Sequence, residues 1–571
     1  MSTSSGKQFT VSEVIDSFGI NSHTWLMFIL LGLANIFDGY DFMVVNSTNS
    51  YLAASFGVVG NTAAIGSLTT WGLLGMVLGG AVGGIMSDKI GRKKMLIIAC
   101  LFYGLFTLPQ AFSTNVPFFA AFRLIAGFGV GSCIPVVTTV FSETIPSKSR
   151  GVFVTFGMAF MVAGWVLAGV ICAPICASQS PIIPGLCSSA IEVNGKAFVE
   201  NWRVCYLIGA LPIIYGIVLI FAMHETPHWY ANCGRKEDAV KALAIIEKKT
   251  TGKVTERDPE NLIIPPKPKK TTVNVLFSHK FIVATAAIWT TYFVGQFCVY
   301  GMNAWIPTWF QNVGYSTQDS VNLQTWNNFA AILSNVAVGF VSDRIGRKKN
   351  LALSWILCII AIVLCSIFIT YDPQNSKFVL YVILMLLFGF CLNYAITAVQ
   401  PLMPESYPTA LRNTGVAWCQ AFARFGGSAS SIVLGAIAAM SAFQMANPAG
   451  QGTVPNFSMI VLVLIIPFAL AFVCTILFVS ETGGKTMDEL ASEEAESSDK
   501  DTGMVSFGIM IAIIVFLAVL CIVCPLAVPN WSKQPVALPL MAIGLLLPFV
   551  YFFIFGGAQL ARNKKALQEA E

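Results

Sequence analysis

Four ionisable side chains lie inside long apolar runs of the sequence, where a charge is costly. Asp38 and Asp41 fall in the first run, Arg123 in the fourth and Arg424 in the eleventh. A charge at the centre of a membrane helix costs about 2.5–3.5 kcal/mol on insertion scales, so such residues are functional candidates. A carboxylate can exchange a proton, and a guanidinium matches the two oxygens of a carboxylate. The pattern predicts proton coupling at Asp41 and Asp38, and anion binding at Arg123 and Arg424.

The depths of these residues in their predicted helices favour one pairing. At a rise of about 1.5 Å per residue, Arg123 lies at a depth where it can meet Asp41. Arg424 lies roughly 18 Å into its helix, with Gln420 four residues earlier on the same face. The alternative is that Arg123 and Asp41 form a buried pair that only holds helices together.

Polar and aromatic side chains accompany these charges. In the seventh apolar run Tyr292, Gln296, Tyr300 and Asn303 follow one another at spacings of four, four and three residues. Such a stripe lies on one helix face and suits a ring with polar substituents. Together with Gln420, and with Asn393 in the tenth run, these residues are predicted to bind substrate. Hydrogen bonding between helices explains the same pattern, and the sequence leaves both readings open.

The elements that must position these residues are membrane helices. Of the 571 residues 56% are hydrophobic and only 11% charged, and the mean hydropathy is +0.71, values that do not suit a water-exposed surface. A bilayer crossing needs about 20 apolar residues, and such runs predict an all-α polytopic protein of about fourteen transmembrane helices. The predicted spans begin near residues 25, 62, 95, 117, 151, 203, 281, 322, 350, 378, 412, 457, 505 and 536.

Composition also excludes several classes of function. No large basic face indicates nucleic acid, and no nucleophile, base and orienting group stand together at an enzymatic spacing. The four histidines lie near helix ends or loops, so neither a metal nor a cofactor is predicted. Cys521 and Cys524 form a C-x-x-C on an apolar run, for which packing is the favoured reading. Cys176 and Cys187 are assigned to a polar loop after the fifth span, where a disulfide is left open.

Short loops rich in Lys and Arg predict the topology and the domains. If every run crosses the membrane, these loops share one side, which the positive-inside rule makes the cytoplasm, together with both termini. The protein is therefore expected to be multi-pass in the cell (plasma or inner) membrane, with lipid around it and protein partners unknown. The predicted divisions are an N-terminal half 1–223, a central cytoplasmic loop 224–280, a C-terminal half 281–480, an acidic linker 481–504, and a two-helix hairpin with a tail 505–571.

One loop sequence occurs twice, and it carries a family resemblance. The pattern G-x-x-S-D-[KR]-I-G-R-K-K stands at residues 84–94 and again at 339–349. The duplication predicts two six-helix repeats, and the motif resembles the signature of the major facilitator superfamily. The resemblance covers residues 20 to 490 and implies a gate at the cytoplasmic ends of the helices. The residues assigned to this gate are Asp88, Arg92, Asp343, Arg347, Glu143 and Arg150.

Three further stretches resemble one group within that superfamily. They are the F-D-G-Y-D-F of residues 37–42, the glycine-rich segment 123–131, and Y-P-T-A-L-R-N-T-G at 407–415. Together they are similar to the aromatic acid:proton symporters. The resemblance implies proton-coupled symport of a small organic anion, an aromatic carboxylate, by alternating access. The alternatives are transport of sialic acid, a sugar or another metabolite, export instead of uptake, and a transporter-like sensor.

Overall fold

The chain forms two compact helical units. The computed structural model describes residues 8–479 except 60, 147–149, 194–195, 253, 264–281, 401, 408, 439, 441–442 and 447–452. Of these described residues, those within 1–56 and 71–268 form the first unit, and those within 57–70 and 269–571 form the second. The predicted acidic linker and the two predicted C-terminal helices lie outside the described residues, as does the C-x-x-C.

The first unit is built from long helices joined by short turns. In it α2 packs along α6, and α4 packs against both α5 and α8. A 3₁₀ turn at Leu108–Phe112 extends α4, and the residues of α3 up to Thr70 are assigned to the second unit. The helices are α1 (Val11–Phe18), α2 (Ser22–Ser55), α3 (Thr62–Ile90), α4 (Arg92–Thr107), α5 (Val116–Thr144), α6 (Arg150–Ala177), α7 (Trp202–Gly209), α8 (Pro212–Ala222), α9 (Pro227–Asn232) and α10 (Lys236–Thr251).

Local sequence explains where the long helices begin. The side chain of Asn21 caps α2 by accepting a hydrogen bond from the Thr24 N–H at 3.0 Å. The side chain of Asn115 caps α5 in the same way, through the Phe118 N–H at 2.9 Å. A side-chain oxygen at this position satisfies a backbone donor that has no partner within the helix.

The second unit repeats the pattern of long helices. Here α11 packs along α16, α12 packs along α14, and α13 packs against α14 and α18. A short antiparallel pair, β3 (Gln444–Ala446) with β4 (Thr453–Pro455), precedes the last two described helices. The helices are α11 (Ile282–Val313), α12 (Thr317–Ile345), α13 (Arg347–Phe368), α14 (Phe378–Val399), α15 (Leu402–Glu405), α16 (Thr409–Ala438), α17 (Phe457–Val463) and α18 (Ile465–Phe478).

Ten helical segments of the described chain are long and apolar enough to cross a membrane. They coincide with ten of the first twelve predicted spans. The other two spans coincide with α11 and α12, which have 32 and 29 residues but carry more Asn, Gln, Tyr and Trp. The protein is therefore a multi-pass helical membrane protein.

A small folded module joins the N-terminal segment to the central loop. Phe9 pairs with Leu262 in a short parallel bridge, and α1 is held by a capping box between Thr10 and Glu13. The predicted central loop contains α10, whereas its Pro- and Lys-rich residues 265–270 lie outside the described residues. The apolar side chains at the centre of the module are Val11, Val14, Ile15, Ala231, Ala239, Leu243 and Leu262.

The segment between α6 and α7 differs from its predicted form. It contains an antiparallel hairpin, β1 (Ala190–Val193) with β2 (Lys196–Val199). Cys176 does not belong to this loop, because α6 continues past Pro174 to Ala177. Its Sγ lies 3.8 Å from that of Cys205 on α7, and both Cys176 and Cys187 are free thiols.

Candidate functional site

A buried ion pair between α2 and α5 is the centre of the first unit's candidate site. One guanidinium nitrogen of Arg123 donates to both carboxylate oxygens of Asp41 at 2.9 Å. Its other terminal nitrogen donates to the Asp41 backbone carbonyl at 2.6 Å. Both side chains are only 3% exposed, so little water screens the pair. The contact expected from depth is present, whereas the roles of both residues stay predictions.

Small and polar neighbours complete the surroundings of this pair. Thr107 donates its hydroxyl to Asp41 at 3.3 Å. Gly72 leaves room for the arginine, since a Cβ there would lie 2.8 Å from the Arg123 Nε. Asp38 is also buried, and the charges of Asp38 and Asp41 both act on the Tyr103 phenol. Two carboxylates and one arginine thus share a dry region of the unit.

The F-D-G-Y-D-F motif on α2 also contains residues that serve helix packing. A Cβ on Gly39 would lie 1.9 Å from the Met161 carbonyl oxygen, so only glycine permits the close approach of α2 to α6. Tyr40 donates its hydroxyl to the Cys205 carbonyl at 3.0 Å. These contacts fix the helix segment on which Asp38 and Asp41 stand.

The deep arginine of the second unit has a different environment. Arg424 on α16 is half-buried, and no carboxylate of the described residues forms an ion pair with it. Its charge acts on Tyr292 of α11, which also has a side-chain hydrogen bond with Gln296. Gln400 donates to the Tyr292 hydroxyl at 3.5 Å. A cation, a phenol and two amides therefore group within this unit.

The remaining predicted binding residues are placed less specifically. The side-chain amides of Asn303 and Asn393 donate to carbonyls one turn back on their own helices, at 3.0 and 2.9 Å. The Asn303 Oδ1 is buried without a hydrogen-bond partner among the described residues. Tyr300 is buried, and Gln420 is half-buried on α16.

A charged network joins helix ends of the first unit at the first copy of the repeated motif. Arg92 pairs with Asp88 at 2.8 Å and with Glu143 at 3.1 Å. Glu143 also accepts a hydrogen bond from the Thr226 hydroxyl at 2.5 Å. The Glu225 carboxylate accepts hydrogen bonds from the backbone N–H of Arg92, at 2.9 Å, and from that of Lys93, at 3.1 Å. Burial raises the pKa of the Glu225 carboxyl, although these N–H groups oppose the shift.

The second copy has the same backbone form. Gly346 has a φ of 97°, beside 110° for Gly91 at the same motif position. These values lie where only glycine is comfortable, and each glycine precedes the next helix. Arg347 begins α13, whereas the side chains of Asp343 and Arg150 lie outside the description.

Sequence reasoning missed several of these contributors. Tyr103 and Thr107 are single polar residues on an apolar helix, and their spacing does not indicate which helix they face. Gly72 resembles any packing glycine. Glu225 had a signal, because it opens an E-T-P-H-W motif directly after a span, but two of the N–H groups that it accepts come from the distant α4.

Comparisons with known proteins show which family and which proteins the chain is similar to. Residues 27–493 match the family described as sugar (and other) transporters. The 4-hydroxybenzoate transporter PcaK of Pseudomonas aeruginosa is 28% identical, over 82% of this chain and 96% of that protein. The niacin transporter NiaP of Acinetobacter baylyi is 28% identical over 83% and 98%, respectively. The gallate transporter of Pseudomonas putida is 27% identical over 75% and 88%.

Solved structures agree on the fold. The D-xylose-proton symporter matches with a TM-score of 0.62 at 19% identity, over 81% of this chain and all of that one. The xylose transporter XylE from E. coli, partially occluded and inward open, matches with a TM-score of 0.61 at 18% identity, over 81% of this chain and 100% of that one. The chain thus has the major facilitator fold and is a transporter and not an enzyme: it belongs to the sugar (and other) transporter family of the major facilitator superfamily.

Proposed function

We propose that this transporter takes up a small organic anion of the aromatic carboxylate class together with protons, by alternating access. The names of its relatives support the substrate class, since they include transporters of 4-hydroxybenzoate, gallate and gentisate.

The observation that carries the proposal is the difference between the two deep arginines. The Arg123 guanidinium forms an ion pair with the Asp41 carboxylate, whereas Arg424 has no acidic partner among the described residues. A half-buried guanidinium without a counter-ion suits a ligand carboxylate, which it can hold through two parallel hydrogen bonds. Tyr292 and Gln296 beside it suit the ring and its hydroxyl groups. Tyr300, Asn303, Asn393 and Gln420 complete the proposed binding set.

We infer that Asp41 carries the coupled proton, with Asp38 as a second acceptor. Protonation removes the negative charge that holds Arg123, so the arginine becomes available to an anion. Loading of the proton then favours loading of the substrate, and the coupling is reciprocal. The buried geometry of the pair supports this role, because competition for one guanidinium is strongest where water is excluded.

Gating is assigned to the repeated motif. In the first unit Asp88, Arg92 and Glu143 form a network that joins the ends of three helices. Arg150, Asp343 and Arg347 are proposed to serve the same purpose. Breaking such ion pairs allows helix ends to separate during alternating access.

The finer topology is also a proposal. It has fourteen spans, with residues 505–571 forming an extra hairpin, and with both termini and the loop 224–280 in the cytoplasm of the cell membrane. The basic loops at residues 87–94 and 342–349 support this orientation. Labelling of single cysteines introduced at residues 254 and 570 of a cysteine-free variant, from either side of the membrane, tests it.

Uptake into proteoliposomes tests the function. A proton gradient is imposed, and radiolabelled 4-hydroxybenzoate, gallate, nicotinate, sialic acid and D-xylose are compared. Accumulation of an aromatic acid above its external concentration, abolished by a protonophore, is the expected result. Accumulation of xylose or sialic acid alone would overturn the substrate class, and gradient-independent equilibration would overturn the coupling.

A further inference from the structure

Four basic side chains gather at the end of the first unit where α2 begins. They are His23 at the start of α2, Lys93 at the start of α4, His224 just after α8, and Lys249 in the last turn of α10. The Lys249 ammonium donates to the His224 Nε2 at 2.9 Å. Lys249 and His224 both lie near the His23 ring. Four elements of the fold thus contribute one cation or imidazole each.

The geometry holds this cluster together. The Ser22 hydroxyl donates to the Lys249 carbonyl at 3.4 Å, which joins the end of α10 to the start of α2. The Lys93 Nζ donates to the Ile220 carbonyl at 2.7 Å, at the end of α8. An ammonium has three donors, so each lysine keeps donors that these contacts do not use.

Two observations point to a missing anion. His23 is only 6% exposed, and its Nδ1 is buried without a hydrogen-bond partner in the described part of the chain. No carboxylate of the described residues pairs with any of the four groups. The carboxylate of the adjacent Glu225 already accepts hydrogen bonds from backbone N–H groups at the start of α4 and from the N–H of Thr226.

The charges oppose one another while the cluster has no anion. Burial, and then the charges of Lys249 and Lys93, lower the pKa of His224 below its ordinary value. The two ammonium groups therefore disfavour a further positive charge on this imidazole unless an anion compensates them. A multivalent oxyanion offers several acceptors, which suits donors arriving from four directions.

We propose that His23, Lys93, His224 and Lys249 form a binding site for a phosphate group. The site lies at the ends of three membrane-spanning segments, which begin at Ser22 and Arg92 and end at Ala222. Headgroup phosphates lie at this level of a bilayer, and basic residues there attract anionic lipids. The phosphate therefore comes either from an anionic lipid headgroup or from free phosphate in solution.

Thermal stability of the purified full chain in detergent tests the proposal. Phosphatidylglycerol, phosphatidylcholine with the same acyl chains, and inorganic phosphate are titrated separately. A ligand that binds only the folded state raises the unfolding temperature. Stabilisation by phosphatidylglycerol alone identifies a lipid site, and stabilisation by inorganic phosphate identifies a soluble ligand. Equal effects of the two lipids, with none from phosphate, would overturn the proposal.

Two variants, each of which removes one positive charge, test whether binding depends on this cluster. Lys249→Gln is expected to raise the half-saturating concentration about fivefold, the equivalent of about 1 kcal/mol for one basic residue at a membrane surface. Lys248→Gln removes the neighbouring exposed lysine, which is outside the cluster, and is expected to change it less than twofold. Equal losses in the two variants would indicate diffuse surface charge and refute the site. Each variant is compared with its own ligand-free state, so a change in basal stability does not affect the result.

Discussion

Replacement of Asp41 by Asn separates the coupling role from a structural one. The substitution keeps the shape of the side chain but leaves the Arg123 guanidinium without its counter-ion at 3% exposure. Removing one partner of a buried pair costs about 3–5 kcal/mol, because the remaining charge stays buried. We therefore expect Asp41→Asn to lower the free energy of unfolding in mild denaturant by about that amount.

The transport phenotype carries the functional half of the prediction. Asp41→Asn should abolish accumulation against a gradient, because the site can no longer exchange a proton. Exchange of labelled for unlabelled substrate at equal concentrations needs no net proton movement, so it should persist. The double variant Asp41→Asn/Arg123→Gln should recover part of the lost stability, and the double-mutant cycle gives the coupling energy.

A second buried pair provides the control. Arg203 pairs with Glu200 at 2.8 Å, with both side chains 8% exposed. Arg203→Gln is expected to destabilise the protein and yet retain proton-driven accumulation. If Asp41→Asn still concentrates substrate, the coupling argument is refuted, and if Arg203→Gln loses coupling as well, the assay reports stability only.

Three further substitutions test other parts of the molecule. Arg424→Gln should raise the substrate KM roughly 10- to 100-fold in uptake assays, since a charge-assisted hydrogen bond contributes about 1.5–3 kcal/mol; an unchanged KM would remove it from the site. Gly72→Ala should destabilise by about 1–3 kcal/mol and slow uptake, because its Cβ meets the Arg123 Nε; wild-type uptake would contradict this. Burial raises the pKa of Glu247, but hydrogen bonds from Arg257 and Thr255 outweigh it and lower the pKa. The stabilisation from Glu247 is therefore complete above about pH 4.5 and lost as the pH falls through its lower folded-state pKa. Proteolysis of the central loop 224–280 should accelerate in this acidic pH range for the wild type but not for Glu247→Gln.

The helices were predictable because an apolar run of bilayer length is a local signal. The twelve core spans follow from it, and the repeat followed from two eleven-residue copies of the motif that are identical at eight positions. The contact of Arg123 with Asp41 was within reach because both helices have a known rise per residue, so depth can be counted. Position along a helix is therefore recoverable from sequence alone.

Contacts that depend on rotation and on distant pairing were not predictable. The bridge from Phe9 to Leu262 joins segments far apart in the chain, and neither segment has a periodic pattern long enough to indicate it. Cys176 was assigned to the polar loop after the fifth span, yet α6 continues past Pro174 to Ala177. Sequence spacing also did not indicate that Asn393 donates to its own helix.

The two units differ in the residues expected to bind the substrate. Both keep the glycine of positive φ at the motif, which the fold requires. They differ in their deep arginines, since Arg123 has a buried carboxylate and Arg424 has none among the described residues. A cation whose built-in partner is ionised needs no ligand until that partner is protonated, whereas a cation without a partner remains costly until an anion arrives. The binding energy for the substrate is therefore expected to centre on Arg424, and the response to pH on Asp41 and Arg123.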